Sequence, residues 1–292
     1  TDWLDLLYSG SGFLTTHNFS ISGGNEHAQY HSAVNYQQQD GIIKYTGKKE
    51  YSGRTNLTFL PKKWLTTNIN LSYKQMDREE PNNAYVGGGL DQIIRQAYRI
   101  APWIPYKNED GTYGTISDGN PIAWIDLGPQ IFEKSKTFLG IGSIQLNVFE
   151  GFDLKATVSH RNVETDNKEM NKEIQYNATK YHGPTKLTQR LYNNYRNTLD
   201  LTANYLNSIN GSHNIGLLAG YHAESYNYKY TMAYRENFPS TELGDIDGGS
   251  TNGMKNEGYT RELNMVSWFG RVNYDYQGKY LLEGNARFDK SS

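Results

Sequence analysis

Few residues in this 292-residue sequence stand at spacings that could do chemistry. The stretch GDIDGG at 244–249 sets Asp245 and Asp247 two positions apart, where both carboxylates could reach one Ca²⁺. It lacks the other oxygen ligands and the closing glutamate of a calcium-binding loop, so it reads as a plain turn. The seven histidines are dispersed and none has a neighbour at metal-ligand spacing. No P-loop, dinucleotide glycine pattern, nucleophile elbow or HExxH helix occurs. The expectation is no enzyme, no cofactor and no metal. What remains is aromatic: Trp103, Tyr106, Tyr113 and Trp124 fall within one long non-periodic stretch. Such side chains could contact a substrate by stacking on sugar rings, hold a partner protein, or pack a small core of their own.

Composition narrows the elements that could position these groups. A net charge of −2 argues against nucleic acid as a partner, because neutralising a phosphate backbone takes a concentrated basic surplus. With no cysteine there is neither a disulfide scaffold nor a thiolate metal site. The mean hydropathy of −0.76 looks soluble, but an outer-membrane barrel needs apolar residues only at alternate strand positions. No run of 18 apolar residues exists, which excludes membrane-spanning helices. The 24 tyrosines are the main anomaly, consistent with aromatic belts, ordinary sheet propensity or a sugar-binding surface. Thr1 opens directly on TDWLDLL without a signal peptide, so a processed or partial chain is expected.

Alternation dominates the rest. A hairpin spans His17 to Gly41 with its turn at Gly23-Gly24-Asn25-Glu26, and further period-two segments lie at 50–60, 64–76, 136–149, 152–163, 189–206, 213–230, 261–276 and 279–289. This amounts to about ten antiparallel strands. Tight turns take every second connection, and the intervening links are long, at 40–50, 77–135, 164–188 and 231–260. One-sided long loops suit a transmembrane β-barrel, with short periplasmic turns and long extracellular loops. One strand face carries Tyr51, Leu57, Phe59, Ile69, Leu71, Val158, Trp268 and Val272 without charge. Charge gathers on the other parity. There Arg54, Arg196, Asp200, Glu224, Arg271, Glu283 and Arg287 are expected to face the lumen, where they could touch substrate, a plug or water. Aromatics also gather at strand ends, Phe59, Phe149, Phe152, Tyr205, Tyr276 and Tyr280 by the short turns, and Tyr36, Tyr51 and Tyr73 by the long links. In the opening hairpin, Tyr30, Val34 and Tyr36 should meet lipid, and Gln29, His31 and Asn35 the lumen. The strand at 136–149 fits least well, since Leu139 and Ile141 take the polar face and Gly140 and Gly142 the other.

The longest link has its own organisation. Leu90, Ile93, Ile94 and Ala97 stand at helical spacing before Pro102, which predicts a short surface helix, and Asp110-Gly111 predicts a hairpin turn. A loop of that length is usually a lid or a binding loop.

Two stretches are more specific. TDWLDLLYSGSGFLTTHNFSISGGNEHAQYHSAVNYQQQDGIIK resembles the passage from plug to first barrel strands of SusC/RagA-type TonB-dependent transporters, and SWFGRVNYDYQGKYLLEGNARFDKSS resembles a mid-barrel hairpin of that family. LDQIIRQAYRIAPWIPYKNEDGTYG and GNPIAWIDL are similar to the family's long extracellular loop, whereas the likeness is vague between about 160 and 260. One departure is Lys290, where the family hairpin commonly continues Asp-Gly-Ser-Ser. The resemblance implies an all-β fold, a 22-stranded antiparallel transmembrane β-barrel with an N-terminal plug, of which about ten strands lie here. It implies residues 1–14 as the end of the plug and its link, and 15–292 as partial barrel with a long extracellular loop at about 77–135. The plug and TonB box would precede Thr1 and the remaining strands follow Ser292. It further implies TonB-dependent import of a nutrient, oligosaccharide before peptide, across the bacterial outer membrane. The partners implied are outer-membrane lipid, a SusD-like surface lipoprotein, and the TonB-ExbB-ExbD energy system acting through the plug. Two other classes stay open: a soluble glycan-binding β-sandwich and a passive porin.

Overall fold

The computed structural model describes residues 1–83, 88–117 and 119–292. Parts of the expected long loop, at 84–87 and 118, therefore lie outside the described residues. Ten strands form one antiparallel sheet in which each hydrogen-bonds to the next along the chain, so no crossover connection is needed. They are β1 (Phe13–Gly24), β2 (Ala28–Asp40), β3 (Gly47–Lys62), β4 (Leu65–Glu80), β5 (Ile131–Phe149), β6 (Phe152–Asn171), β9 (Lys186–Ile209), β10 (His213–Glu236), β11 (Ser250–Tyr276) and β12 (Tyr280–Ser291). Between β6 and β9 lies a separate two-stranded ribbon, β7 (Ile174–Gln175) with β8 (Tyr181–His182). Three short α-helices, α1 (Trp3–Leu7), α2 (Gly89–Arg99) and α3 (Pro121–Asp126), and one 3-10 turn at Ile246–Gly248 complete the described residues. The barrel is not closed within these residues, and β1 and β12 are the sheet edges.

Register fixes which side chains share a face. One rung reads Ala28, Phe59, Thr67, Ile144, Ala156, Leu201, Tyr221, Trp268, Phe288 across nine strands, with no charge in it. The next rung outward, from Tyr30 through Leu57, Ile69, Gly142, Val158, Leu199, Ala223 and Val266, is equally uncharged until Lys290 at its end. Tyr30, Val34, Val158, Leu201 and Val272 are exposed, as suits a face turned to lipid.

Two aromatic borders bound this apolar band. At the short-turn end Phe149 stacks on Phe152 with centroids 5.0 Å apart, and Tyr276 on Tyr280 at 6.4 Å. At the other end Tyr36 meets Tyr51 at 5.0 Å, and Trp268 meets Phe288 at 6.1 Å. Along the chain the interval between borders repeats, from Tyr51 to Phe59, Phe152 to His160, Trp268 to Tyr276 and Tyr280 to Phe288. It corresponds to the roughly 9–11 residues that a tilted strand needs to cross a bilayer. The outer border also slips down the strands from β3 to β12, as a horizontal girdle must on tilted strands.

The strands continue beyond this band. The links expected at 40–50, 77–135, 164–188 and 231–260 contract to 41–46, 81–130, 172–185 and 237–249. In particular 250–260, read as loop, is strand within β11. Above the bilayer both faces meet water, so the alternation that marks a strand in sequence disappears while backbone pairing continues.

An arginine in place of Leu201 would sit on the lipid face and should cost about 2–4 kcal/mol, whereas Asn204→Arg, on the opposite face beside Asp153, should change stability by less than about 1 kcal/mol. Urea unfolding of the full-length protein in bilayers measures both. Equal costs would reverse the assignment of the faces.

Candidate functional site

The buried apolar core of the described residues lies in the cap formed at the long-link end. Trp3, Leu7, Ile43, Ile93, Ile100, Ile122, Trp124, Ile174 and Tyr176 pack together there, contributed by α1, the 41–46 link, α2, α3 and the β7–β8 ribbon. Each helix is specified locally. Asp2 caps α1 by accepting from the amides of Leu4 and Asp5. The helix predicted from Leu90, Ile93, Ile94 and Ala97 is α2, and Ile93 and Ala97 are buried. For α3, Asn120 accepts from the amides of Ile122 and Ala123 while Pro121 occupies the first turn. The same Asn120 amide donates to the carbonyls of Tyr106 at 3.0 Å and Gly114 at 2.9 Å, tying the predicted Asp110-Gly111 hairpin to α3. Gly114 admits no side chain, since a Cβ there would lie 2.0 Å from the carbonyl oxygen of Pro105.

Buried amides anchor this cap to the sheet. Asn82 donates to Asn171 at 2.7 Å and accepts from the amides of Asn83 and Gly89, while Gln130 donates to the Asn82 carbonyl and accepts from the Lys172 amide at 3.0 Å. The ends of β4, β5 and β6 are thereby joined directly to α2, and loss of one partner would leave a buried polar group unpaired.

The four aromatic candidates have different positions. Trp124 is 0% exposed and packs edge-on against Tyr176 and His182, so it supports the loop from within and touches no external ligand. Tyr106 and Tyr113 both donate to Asp126, the latter at 2.9 Å, and the Lys107 ammonium lies over both rings at 5.2 and 5.3 Å. Burial, then the Asp126 carboxylate, raises both phenol pKa values well above the ordinary tyrosine value, so both remain donors. Trp103 differs from the others in being 84% exposed, on the segment that follows α2, whose Tyr98 is also exposed.

The lumen candidates share one face. Arg196 pairs with Glu224 at 3.3 Å, Asp200 with His222 at 2.7 Å, and Arg287 with Asp289 at 2.7 Å while also donating to Ser267. Glu283 accepts from Asn285, and Arg54 and Arg271 have no ion-pair partner within 4.0 Å among the described residues. At GDIDGG, Asp245 pairs with Lys168 at 3.4 Å and Asp247 with Arg235 at 3.7 Å, so those carboxylates are engaged by bases.

Sequence reasoning missed a second group on this inner face. Tyr192, Tyr230 and Tyr259 stand directly opposite one another on β9, β10 and β11, with centroids 5.2 and 5.3 Å apart, and Tyr228 adjoins Tyr259 at 5.9 Å. The Arg261 guanidinium covers the Tyr259 ring at 4.8 Å. This row lies beyond the outer aromatic border, on the wall above the bilayer. Burial raises the pKa of Tyr192 and Tyr228, and Tyr234 on the same face is pushed up to about 12, by burial and then by its bond to Glu236. The signal was present: Tyr226, Tyr228 and Tyr230 share the parity of Glu224, which a lipid belt would not.

No protein-family model matches the sequence. Among curated proteins it is 29% identical to TonB-dependent receptor P3 of Formosa agariphila, over all of this chain and 29% of that protein. It is 23% identical to TonB-dependent receptor SusC of Bacteroides thetaiotaomicron, over all of this chain and 30% of that protein. The chain is a SusC/RagA-like TonB-dependent receptor segment. It spans a little under one third of the length of the curated relatives it matches. The solved RagAB peptide importer in its closed-closed state superposes on this receptor segment with a TM-score of 0.78 at 24% identity, covering 100% of this chain and 33% of that one. The ferric citrate transporter FecA gives 0.65 at 10% identity, covering 97% of this chain and 35% of that one, a likeness of fold alone. The segment therefore belongs to an outer-membrane β-barrel, and the soluble sandwich reading falls with that placement. The sheet faces keep their assignment: Tyr30, Val34 and Tyr36 lie on the lipid side, and Gln29, His31 and Asn35 on the lumen side.

Replacing Tyr106 and Tyr113 by Phe should loosen the cap by about 1–3 kcal/mol through loss of two hydrogen bonds to a carboxylate, read as faster hydrogen exchange across 100–128. The raised phenol pKa values make their contribution complete below the unfolded value of about 10 and lost as pH rises through the higher folded values. Protection in this segment, taken relative to the intrinsic base-catalysed exchange rate, should therefore fall above about pH 10 in the wild type and not in the double variant. No difference between them would remove the Asp126 clamp from the account.

Proposed function

We propose that the whole receptor imports an oligosaccharide across the outer membrane by a TonB-dependent route, and that this segment forms part of its barrel wall and extracellular cap. The observation that carries the substrate class is the inner-face row of Tyr192, Tyr230 and Tyr259 above the outer aromatic border. Phenol rings present an apolar body and a hydroxyl that donates and accepts, which suits the faces and rims of sugar rings. Around the row Arg190 pairs with Glu169 at 2.8 Å and Arg196 with Glu224, while Arg261 lies over the Tyr259 ring as the one cation of the row without a carboxylate among the described residues; that balance favours a polar ligand of little charge over a strongly charged one. The receptor's role is transport and no reaction is assigned to it. Energy arrives from TonB-ExbB-ExbD through a plug, and residues 1–14 serve as the lead-in from that plug. Since α1 packs against α2 and α3, the lead-in reaches β1 at the outer rim.

A SusD-like surface lipoprotein is the proposed partner over the cap. Of the four loop aromatics, Trp103 is the one available to it, and Tyr98 of α2, also exposed, meets the hydroxyl of Tyr8 at 3.4 Å. A peptide substrate is the second reading, supported by RagAB, described as a peptide transporter and importer.

Calorimetric titration of the purified full-length receptor with an oligosaccharide pool and a peptide pool separates the two substrates. Binding of oligosaccharide that falls roughly tenfold or more in a Tyr192→Ala, Tyr230→Ala, Tyr259→Ala variant is the expected result. Binding of peptide alone would overturn it, and uptake that persists without TonB would return the reading to a passive porin. Trp103→Ala should weaken lipoprotein capture by about 2 kcal/mol or more if it is the interface anchor. Unchanged capture would move the partner surface elsewhere.

A further inference from the structure

The outward face carries a second feature that neither import nor a lipoprotein partner uses. Directly above the outer aromatic border, one rung reads Gln38, Lys49, Asp77, Lys134, Asp166 across β2 to β6, alternating in charge from strand to strand. One rung nearer the bilayer, Lys136 stands opposite Gln75 and Glu164, beside Tyr36 and Tyr51. These residues have the parity of the lipid face, so they point away from the lumen at the level where headgroups begin. Lys49, Tyr51, Asp77, Lys134 and Asp166 line a cleft of about 510 Å³ that also takes in Phe132 and Lys168, and Lys136 with Glu164 lines the smaller hollow next to it. Lys49, Lys134 and Lys136 are exposed and have no ion-pair partner within 4.0 Å among the described residues, although carboxylates stand opposite on the neighbouring strands. Asp77 and Asp166 instead accept from the glutamines Gln75 at 2.9 Å and Gln189 at 3.0 Å.

The same strand supplies the apolar half of a lipid site. Beneath Lys134, Lys136 and Phe138, the outward positions of β5 are Gly140 and Gly142, which leave a shallow trough between the β4 and β6 side chains. A Cβ at Gly140 would come 3.4 Å from the Phe138 ring and 3.5 Å from Leu71, and one at Gly142 3.7 Å from Val158, so the trough has apolar walls and Phe138 roofs its upper end. Packing within the sheet does not require these glycines. An acyl chain lying along β5 would fill the trough with its headgroup at the lysines.

We propose that this face binds one phosphorylated glycolipid of the outer leaflet, with its phosphates on Lys49, Lys134 and Lys136 and an acyl chain along Gly140 and Gly142. Lysine recognises phosphate as a point charge, and the interleaved Asp77 and Asp166 accept from sugar hydroxyls of the same headgroup. Size favours a sugar headgroup over that of a single phospholipid. Lys49 and Lys134 flank β4, two strand spacings or roughly 10 Å apart, so one small headgroup does not reach both. The lipid would cover the wall beneath the cap and bear on neither the substrate row nor the lipoprotein surface.

The test is native mass spectrometry of the full-length receptor, extracted from outer membranes in mild detergent, combined with titration of delipidated receptor in nanodiscs with purified outer-leaflet glycolipid. A Lys49→Gln, Lys134→Gln, Lys136→Gln variant should lose about fivefold in affinity for each lysine removed, near a hundredfold in all. Gly140→Leu with Gly142→Leu should lower retention while leaving the lysines in place. Correct folding of each variant is read from its heat-modifiable gel mobility. Wild-type receptor that carries no glycolipid, or only phospholipid, overturns the proposal, as does a lysine variant that retains glycolipid equally well. Oligosaccharide binding measured on the same samples keeps this result separate from that of the substrate row.

Discussion

Inside a hydrocarbon layer an unpaired backbone amide has no water to bond, and each one left open costs several kcal/mol. The sheet from β1 to β12 is an answer to that constraint, since each strand hydrogen-bonds to its sequence neighbour and no crossover interrupts the ladder. With the backbone paired in this way, side chains have only two directions available. Lipid accepts Leu, Val and aromatic rings on one side, so every ionisable group within the band must take the other. The ion pairs Lys74 with Glu50, Arg196 with Glu224 and His222 with Asp200 are a consequence, laid across neighbouring strands on one face.

The same constraint displaces the ordinary hydrophobic core. Within the bilayer the apolar residues face outward and bury little against one another, whereas the cap at the long-link end is assembled as a small globular unit. There Trp124, Ile93 and Leu7 are fully enclosed, and the backbone and side-chain amides around them are paired through Asn82, Asn120 and Gln130, while the Trp124 indole N–H has no hydrogen-bond partner among the described residues. Two kinds of packing therefore share the chain. One is held by lipid and strand pairing, the other by water exclusion and capped helices.

Strand extension links them. Because β9, β10 and β11 run well past the outer aromatic border, the inner wall rises above the bilayer, and Tyr192, Tyr230 and Tyr259 meet there at the height of the cap. An aromatic residue on a barrel strand thus takes its role from two coordinates, its parity and its height. Tyr36 and Tyr51 have outward parity at the border and serve the girdle. Tyr230 has inward parity above it and forms part of a recognition wall.

Alternation with period two was legible in the sequence, and with it the two strand faces, the common parity of the charges from Arg54 to Arg287, the turn ends and the α2 helix. These follow from local rules, since a residue's parity along a strand is set by its neighbours alone. Strand length was not legible, because 250–260 is polar on both faces above the bilayer and carries no periodic signal. Nor was the division among Trp103, Tyr106, Tyr113 and Trp124, which depends on which segment folds over which. Parity alone marked Tyr226, Tyr228 and Tyr230 as sharing the face of Glu224, but the assembly of the tyrosine row and of the lysine rung was hidden for the same reason. Each is assembled from strands distant in sequence, and only the register of strand on strand brings Tyr192 beside Tyr230, or sets Lys49 and Lys134 on either side of Asp77. Parity is a property of the chain, whereas register is decided by hydrogen bonds between strands, and those exist only in the folded sheet.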